Sequence, residues 1–249
     1  MRLPSRRAVV KALPPWLVEK VPRDHREPDE AFARRRKVVA GVSLAGAGLL
    51  GVSLSTRPDS VEFYALTLGV AGTWVAGGFA SGPLHLGWMQ ARNDTLRRPV
   101  LTPVLTGVAA FGLFYGCAYV ARTIPVLEEA ISSVLSYANA GNDSLVLLTT
   151  LANGAAEEVF FRGALYAALG DAHPVALSTA VYALATVATR NPALVLAAGV
   201  MGALLGAQRR ASGGIQAPVL THLTWSTLML RYLPPLFRDR SLPQAGSPR

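Results

Sequence analysis

Six stretches of at least 18 residues pass without a single Asp, Glu, Lys or Arg: 38–56, 63–91, 99–121, 172–189, 191–208 and 211–230. A bilayer core about 30 Å thick is crossed by about 20 apolar residues in a helix, so each stretch is long enough to span. A seventh, 144–170, has the length and apolar ends but carries Glu157, Glu158 and Arg162 in its middle. Such a pattern predicts an all-α, polytopic transmembrane bundle of about seven spans, or eight if one escapes the count. The charge distribution agrees. The first 37 residues hold 11 of the 24 Lys+Arg and 5 of the 15 Asp+Glu, leaving 23 charges on the other 212 residues. That density is far below the roughly 25% of a soluble domain. A disordered chain is excluded by the same numbers, and a disulfide scaffold by the single cysteine, Cys117.

Four regions follow: a basic tail over 1–37, N-terminal transmembrane helices over 38–98, a transmembrane core over 99–233 and a C-terminal tail over 234–249. Basic residues resist translocation, and with the N-terminus in the cytoplasm and seven spans the inner side collects 16 Lys+Arg against 7 outside. A multi-pass plasma-membrane protein with a cytoplasmic N-terminus is expected, its first span an uncleaved anchor. Arg34, Arg35, Arg36 and Lys37 abut that span and suit anionic lipid headgroups. Nucleic acid is set aside as a partner, because the basic cluster is juxtamembrane and lacks interleaved aromatics. The stretch 125–137 reads as an interfacial helix with Glu128 and Glu129 toward water. Glycines at Gly69, Gly72, Gly77, Gly78, Gly199, Gly202 and Gly206 read as places where helix backbones approach closely.

The charges inside the seventh stretch need a reason, since an ionised group at the bilayer centre costs about 2.5 to 3.5 kcal/mol. Glu158 and Arg162 are four residues apart, so they meet on one helix face as a buried ion pair. Glu157 is turned about 100° away on the face of Asn153 and is left without a charged partner. It is the carboxylate suited to take up a proton. In the last span His222 and Ser226 share a face and can point at one cavity. His85 and His173 fall at span ends or in loops, and His25 in the tail.

The run Glu157-Glu158-Val159-Phe160-Phe161-Arg162-Gly163 resembles the E-E-x-x-x-R motif of the CPBP family, the CAAX proteases and bacteriocin-processing membrane proteins also called Abi. The likeness extends over roughly residues 99–230. It takes in the small-residue helix around Gly199, Gly202 and Gly206 and the turn from Gly214 through Pro218 into His222. The resemblance implies an intramembrane endopeptidase acting on a membrane-associated peptide or protein near its C-terminus. It implies Glu157 as activator of the attacking water, Glu158 and Arg162 as supports, and His222 as stabiliser of the oxyanion. Two positions depart from the family pattern. The aromatic-x-x-x-His motif reads Tyr182 to Thr186, and the His-x-x-x-Asn motif reads His222 to Ser226. Zinc is compatible with the resemblance, but its ligand set is incomplete, with only Glu157 and His222 as good donors, so no metal ligand is assigned. Asn153, one turn from Glu157, stays open as a substitute, whereas His173, 13 residues before Thr186 and about 20 Å along a helix, is a poor stand-in. A peptidase with His222 and Ser226 as donors is the leading reading. A catalytically silent relative that binds a membrane partner or confers immunity, and a transporter gated by Glu157, are the alternatives.

Overall fold

The computed structural model describes residues 14–19, 27–91 and 94–238. After a single helical turn, Pro15–Val18, eight helices follow: α1 Asp29–Ser53, α2 Val61–Ser81, α3 Leu101–Ala121, α4 Pro125–Ala140, α5 from Asp143 to Leu169, α6 Pro174–Val187, α7 Pro192–Ser212 and α8 Gln216–Arg238. The one sheet among the described residues is a two-stranded antiparallel pair, β1 Met89–Gln90 and β2 Leu96–Arg97. The chain is thus an all-α membrane bundle. Four helices, α1, α2, α3 and α7, are long and apolar enough to cross a bilayer. Helix α3 turns Leu101, Leu105, Leu113 and Val120 outward, each more than half exposed, as lipid contact requires.

Several boundaries differ from the sequence expectation. Helix α1 starts at Asp29, inside the stretch read as tail, with Asp29 and Glu30 in its first turn, where the helix dipole favours acids. Arg35 lies on its buried face at 1% exposure, where it pairs with Glu27 and donates to Ser81 Oγ at 3.0 Å and the Pro83 carbonyl at 3.1 Å. It is therefore unavailable to lipid, whereas Arg34, Arg36 and Lys37 are exposed. The 172–189 stretch yields only the 14 residues of α6, about 21 Å at 1.5 Å per residue, short of a full crossing. Helix α4 occupies the place of the expected interfacial helix, with Glu129 exposed and Glu128 half-buried. Helix α8 runs to Arg238, five residues into the stretch 234–249 read as C-terminal tail. Residues 1–13 and 20–26 of the basic tail, His25 among them, and residues 239–249 lie outside the described residues.

The core beneath α5 is aromatic. Trp74 of α2 is fully buried, with its ring 4.6 Å from that of Phe160 and 5.0 Å from that of Phe161. It fits because Gly46 of α1 faces it: a Cβ there would lie 2.2 Å from the indole. Gly77, Gly78 and Gly202 likewise meet side chains too closely to admit a Cβ, and Gly206 stands tight against Val175. Gly69 is in ordinary contact, and Gly72 and Gly199 face open space. The close-approach reading therefore holds for four of the seven.

Helix α7 ends at Gly213, which takes the left-handed conformation at φ 71° and returns its N–H to the Arg209 carbonyl. The chain then turns into α8 against the loop after α2. Trp88 N–H donates to Ser212 O at 2.8 Å, Ile215 N–H to His85 O at 2.8 Å and Gln216 N–H to Leu86 O at 3.0 Å. Gly214 lies so close to this loop that a Cβ would stand 2.1 Å from Gly87 N. These contacts fix where α8 begins, and hence the position of His222 two turns along it.

Candidate active site

Helix α5 is not regular through the charged motif. It is α-helical over Asp143–Glu157, π-helical over Glu158–Leu165 and α-helical again over Tyr166–Leu169. Widening of this kind is uncommon and concentrates at functional sites. Gly163 sits in the widened segment, where a Cβ would come within 3.2 Å of Leu84. The Arg162 carbonyl there accepts from Arg209 Nε at 2.6 Å.

The expected pair forms: Arg162 Nη1 lies 3.0 Å from Glu158 Oε1, with the two side chains 1% and 0% exposed. The same oxygen lies 2.8 Å from His222 Nδ1. A single carboxylate oxygen therefore holds both an arginine of α5 and the histidine of α8. Because an ionised carboxylate only accepts, Nδ1 carries the hydrogen, which leaves Nε2 as the ring's working atom. Nε2 faces helix α5 across Gly154, lying 3.7 Å from where a Cβ on that glycine would be.

Glu157 forms no ion pair among the described residues, in keeping with the spacing, but it is not without a hydrogen-bond partner. The Tyr182 hydroxyl of α6 donates to its Oε2 at 2.5 Å. The residue is partly accessible, while its neighbour Glu158 is sealed. The two adjacent acids thus have separate surroundings: Glu158 sits sealed in a basic clasp, and Glu157 lies partly accessible beside a phenol. Tyr182 is itself held by its ring, with the Arg162 guanidinium 4.5 Å from its centroid and the Phe161 ring 4.7 Å away.

Thr186 is buried at 8% exposure and spends its hydroxyl on the Tyr182 carbonyl at 2.9 Å. Ser226 is buried at 7% one turn beyond His222 and has no hydrogen bond among the described residues. Neither Asn153 nor His173 hydrogen-bonds to Glu157 or His222 among the described residues. Asn153 Nδ2 donates to the carbonyls of Thr67 and Thr149, both at 3.0 Å, and His173 is exposed at the far end of α6, in a left-handed conformation. Two participants escaped the sequence reading. Tyr182 appeared there only as a motif aromatic, although a hydroxyl inside lipid itself asks for a partner. Arg209 was counted as loop charge, yet it is 2% exposed, against Arg162 O and stacked over Tyr166 at 4.9 Å.

The donor set does not suit zinc. A catalytic zinc takes three protein ligands. Here Glu158 is committed to Arg162 and to His222 Nδ1, Glu157 shares an oxygen with Tyr182, and the Thr186 hydroxyl points to backbone.

Residues 142–228 match the Rce1-like family, described as Type II CAAX prenyl endopeptidase Rce1-like. The matched stretch contains Glu157, Glu158, Arg162, Tyr182, Thr186, His222 and Ser226, so the resemblance drawn from the motifs holds over the part of the chain that builds the site. No curated protein matches the chain, and no solved structure does.

Proposed function

We propose that this multi-pass membrane protein, with its Rce1-like segment at residues 142–228, is an intramembrane endopeptidase of the CAAX-protease type. It hydrolyses peptide bonds near the C-terminus of a membrane-associated peptide or protein by water activation on Glu157. The carrying observation is the division of labour between adjacent carboxylates: Glu158 locked to Arg162 and His222, Glu157 accessible and held only by a phenol.

In this mechanism the free oxygen of Glu157 takes a proton from water as the water oxygen bonds to the scissile carbonyl carbon. The carbonyl becomes an oxyanion, stabilised by a hydrogen bond from His222 Nε2–H in the protonated ring, whose charge Glu158 balances through Nδ1. The C–N bond then breaks, and Glu157 returns its proton to the leaving nitrogen. Arg162 acts at a distance, by holding Glu158. Ser226, buried one turn from His222 on α8, serves in this reading as a second donor beside the histidine. The excess of basic residues on the tail and on the short loops favours a cytoplasmic N-terminus in the plasma membrane. The exposed Arg34, Arg36 and Lys37 suit anionic headgroups.

The test uses the purified chain in proteoliposomes and two peptides ending in a C-a-a-X sequence, one prenylated and one not. Release of the residues after the cysteine is followed by mass spectrometry. Glu157→Gln is expected to lower turnover by about 100-fold or more, the scale of a lost general base. Equal rates for wild type and variant would sink the proposal. A second reading, a silent relative that holds a peptide without cutting it, is favoured by the inward-turned Thr186 hydroxyl. It predicts binding of the same peptides with no turnover.

A further inference from the structure

The geometry points to Tyr182 as the residue that positions Glu157, holding its carboxylate as the anion with one oxygen engaged and the other turned to the reacting water. The inference rests on the peptidase reading for its catalytic meaning, but the coupling of the two side chains is a separate physical fact.

Helix α6 faces the site with two polar side chains one turn apart, Tyr182 and Thr186. Only one of them reaches the acid. Thr186 turns back to its own helix, donating to the Tyr182 carbonyl at 2.9 Å, whereas Tyr182 crosses to α5 and donates to Glu157 Oε2 at 2.5 Å. The ring that carries the hydroxyl is packed against α5, with the Arg162 guanidinium 4.5 Å and the Phe161 ring 4.7 Å from its centroid. Arg162 is in turn anchored by Glu158 at 3.0 Å. A continuous chain of contacts therefore runs from the sealed clasp to the accessible acid, Glu158 to Arg162 to Tyr182 to Glu157. No hydrogen bond among the described residues engages Glu157 Oε1. The charged and titratable groups facing Glu157 are Glu158 and Arg162 on α5, Tyr182 on α6 and His222 on α8. Of these Tyr182 is the one that donates to Oε2. Such a donor favours the ionised carboxylate and selects one rotamer, both of which a base needs before it can accept a proton from water.

A hydrophobic carbodiimide, which adds to protonated carboxyl groups within membranes, reads this coupling without any substrate. The full chain in proteoliposomes is treated across a pH series, and adduct at Glu157 is quantified by tandem mass spectrometry, with Glu157→Gln marking the background. Tyr182→Phe keeps the ring and deletes the donor. Losing a hydrogen bond to an ionised partner should speed labelling at neutral pH by about tenfold or more and move its pH midpoint upward by about one unit. Site-specific 3,5-difluorotyrosine at position 182, a stronger donor of nearly the same shape, should shift both the other way, so the assignment stays testable if the phenylalanine variant folds poorly. Thr186→Val should label like wild type. In the cleavage assay Tyr182→Phe should lower kcat by about tenfold or more, leave KM within about twofold and move the acid limb of the pH profile upward.

Labelling that shifts while wild type cuts no peptide would remove the peptidase reading and leave the coupling standing. Wild-type cleavage with labelling and pH limb unmoved in both Tyr182 variants would overturn the assignment of Tyr182 alone.

Discussion

Replacing Glu158 should do more damage than replacing Glu158 and Arg162 together. Both side chains are sealed, 0% and 1% exposed, and joined at 3.0 Å, so deleting the acid leaves a guanidinium in the core without its counter-charge. Removing one partner of a buried ion pair typically costs about 3 to 5 kcal/mol, while exchanging both for apolar residues of similar volume is often close to neutral. Arg162 would keep its contact with the Tyr182 ring at 4.5 Å, which retains about 1 to 2 kcal/mol and puts the single Glu158→Leu change toward the lower end of that range. Arg162 Nε and Nη2 already lack hydrogen-bond partners, so no other acceptor stands ready to take over. The double variant Glu158→Leu/Arg162→Met should recover most of the loss, a coupling of about 2 kcal/mol or more in a double-mutant cycle.

The assay is unfolding of the purified chain by sodium dodecyl sulfate in mixed micelles, followed by far-ultraviolet circular dichroism. Peptide cleavage serves as the second readout. Stability and activity should separate: the double variant folds, yet cuts poorly, because His222 Nδ1 has lost the oxygen that holds it at 2.8 Å. Single variants within about 0.5 kcal/mol of wild type, or a cycle that is additive, would refute the argument, since an ordinary surface pair behaves in that way.

Two further outcomes follow. Gly214→Ala would drive a Cβ to 2.1 Å from Gly87 N at the start of α8, so it should destabilise by about 1 to 3 kcal/mol or more and displace His222, whereas Gly199→Ala, facing open space within its helix, should be neutral or slightly stabilising in the same unfolding assay. Thr186→His with Ser226→Asn, which completes the family pattern, should raise peptide turnover by about tenfold or more, the scale of one added oxyanion donor. Unchanged turnover in a folded variant would mean that Tyr182 and His222 already supply what those positions give elsewhere.

The clasp was legible in the sequence because it is local. Glu158 and Arg162 are four residues apart, and any helix-like winding lets them meet. What lay across helices was not. The Tyr182 bond to Glu157 spans 25 positions, and nothing in either stretch marks the other. Nor could the π-helical winding be read, since i,i+4 spacing looks the same in either winding, and its contacts come from other segments: Leu84 beside Gly163, and Arg209 on the Arg162 carbonyl. The length of α6 was overstated for a different reason. An uncharged stretch can include turn residues, and Ala172, His173, Ala188 and Thr189 flank its 14 helical residues without ending the run.

The arginines bear on the orientation that we propose. Counting basic residues treats each one as a loop charge that resists translocation, and Arg35 and Arg209 break that assumption, being 1% and 2% exposed against partners inside the bundle. Taking both from the inner tally of 16 leaves 14 against 7 outside, so the cytoplasmic N-terminus still has the larger share. The two displaced residues serve another purpose. Arg35 ties the start of α1 to the end of α2 through Ser81 and Pro83, and Arg209 ties α7 to the widened segment of α5. With Arg162 they make three buried guanidinium groups that join α1 to α2, α7 to α5, and α5 through Glu158 to α8. In a bilayer, where helix contacts gain little from the hydrophobic effect, polar ties of this kind carry a larger share of the specificity. The arginines that weaken the charge count are the ones that hold the helices around Glu157 in register.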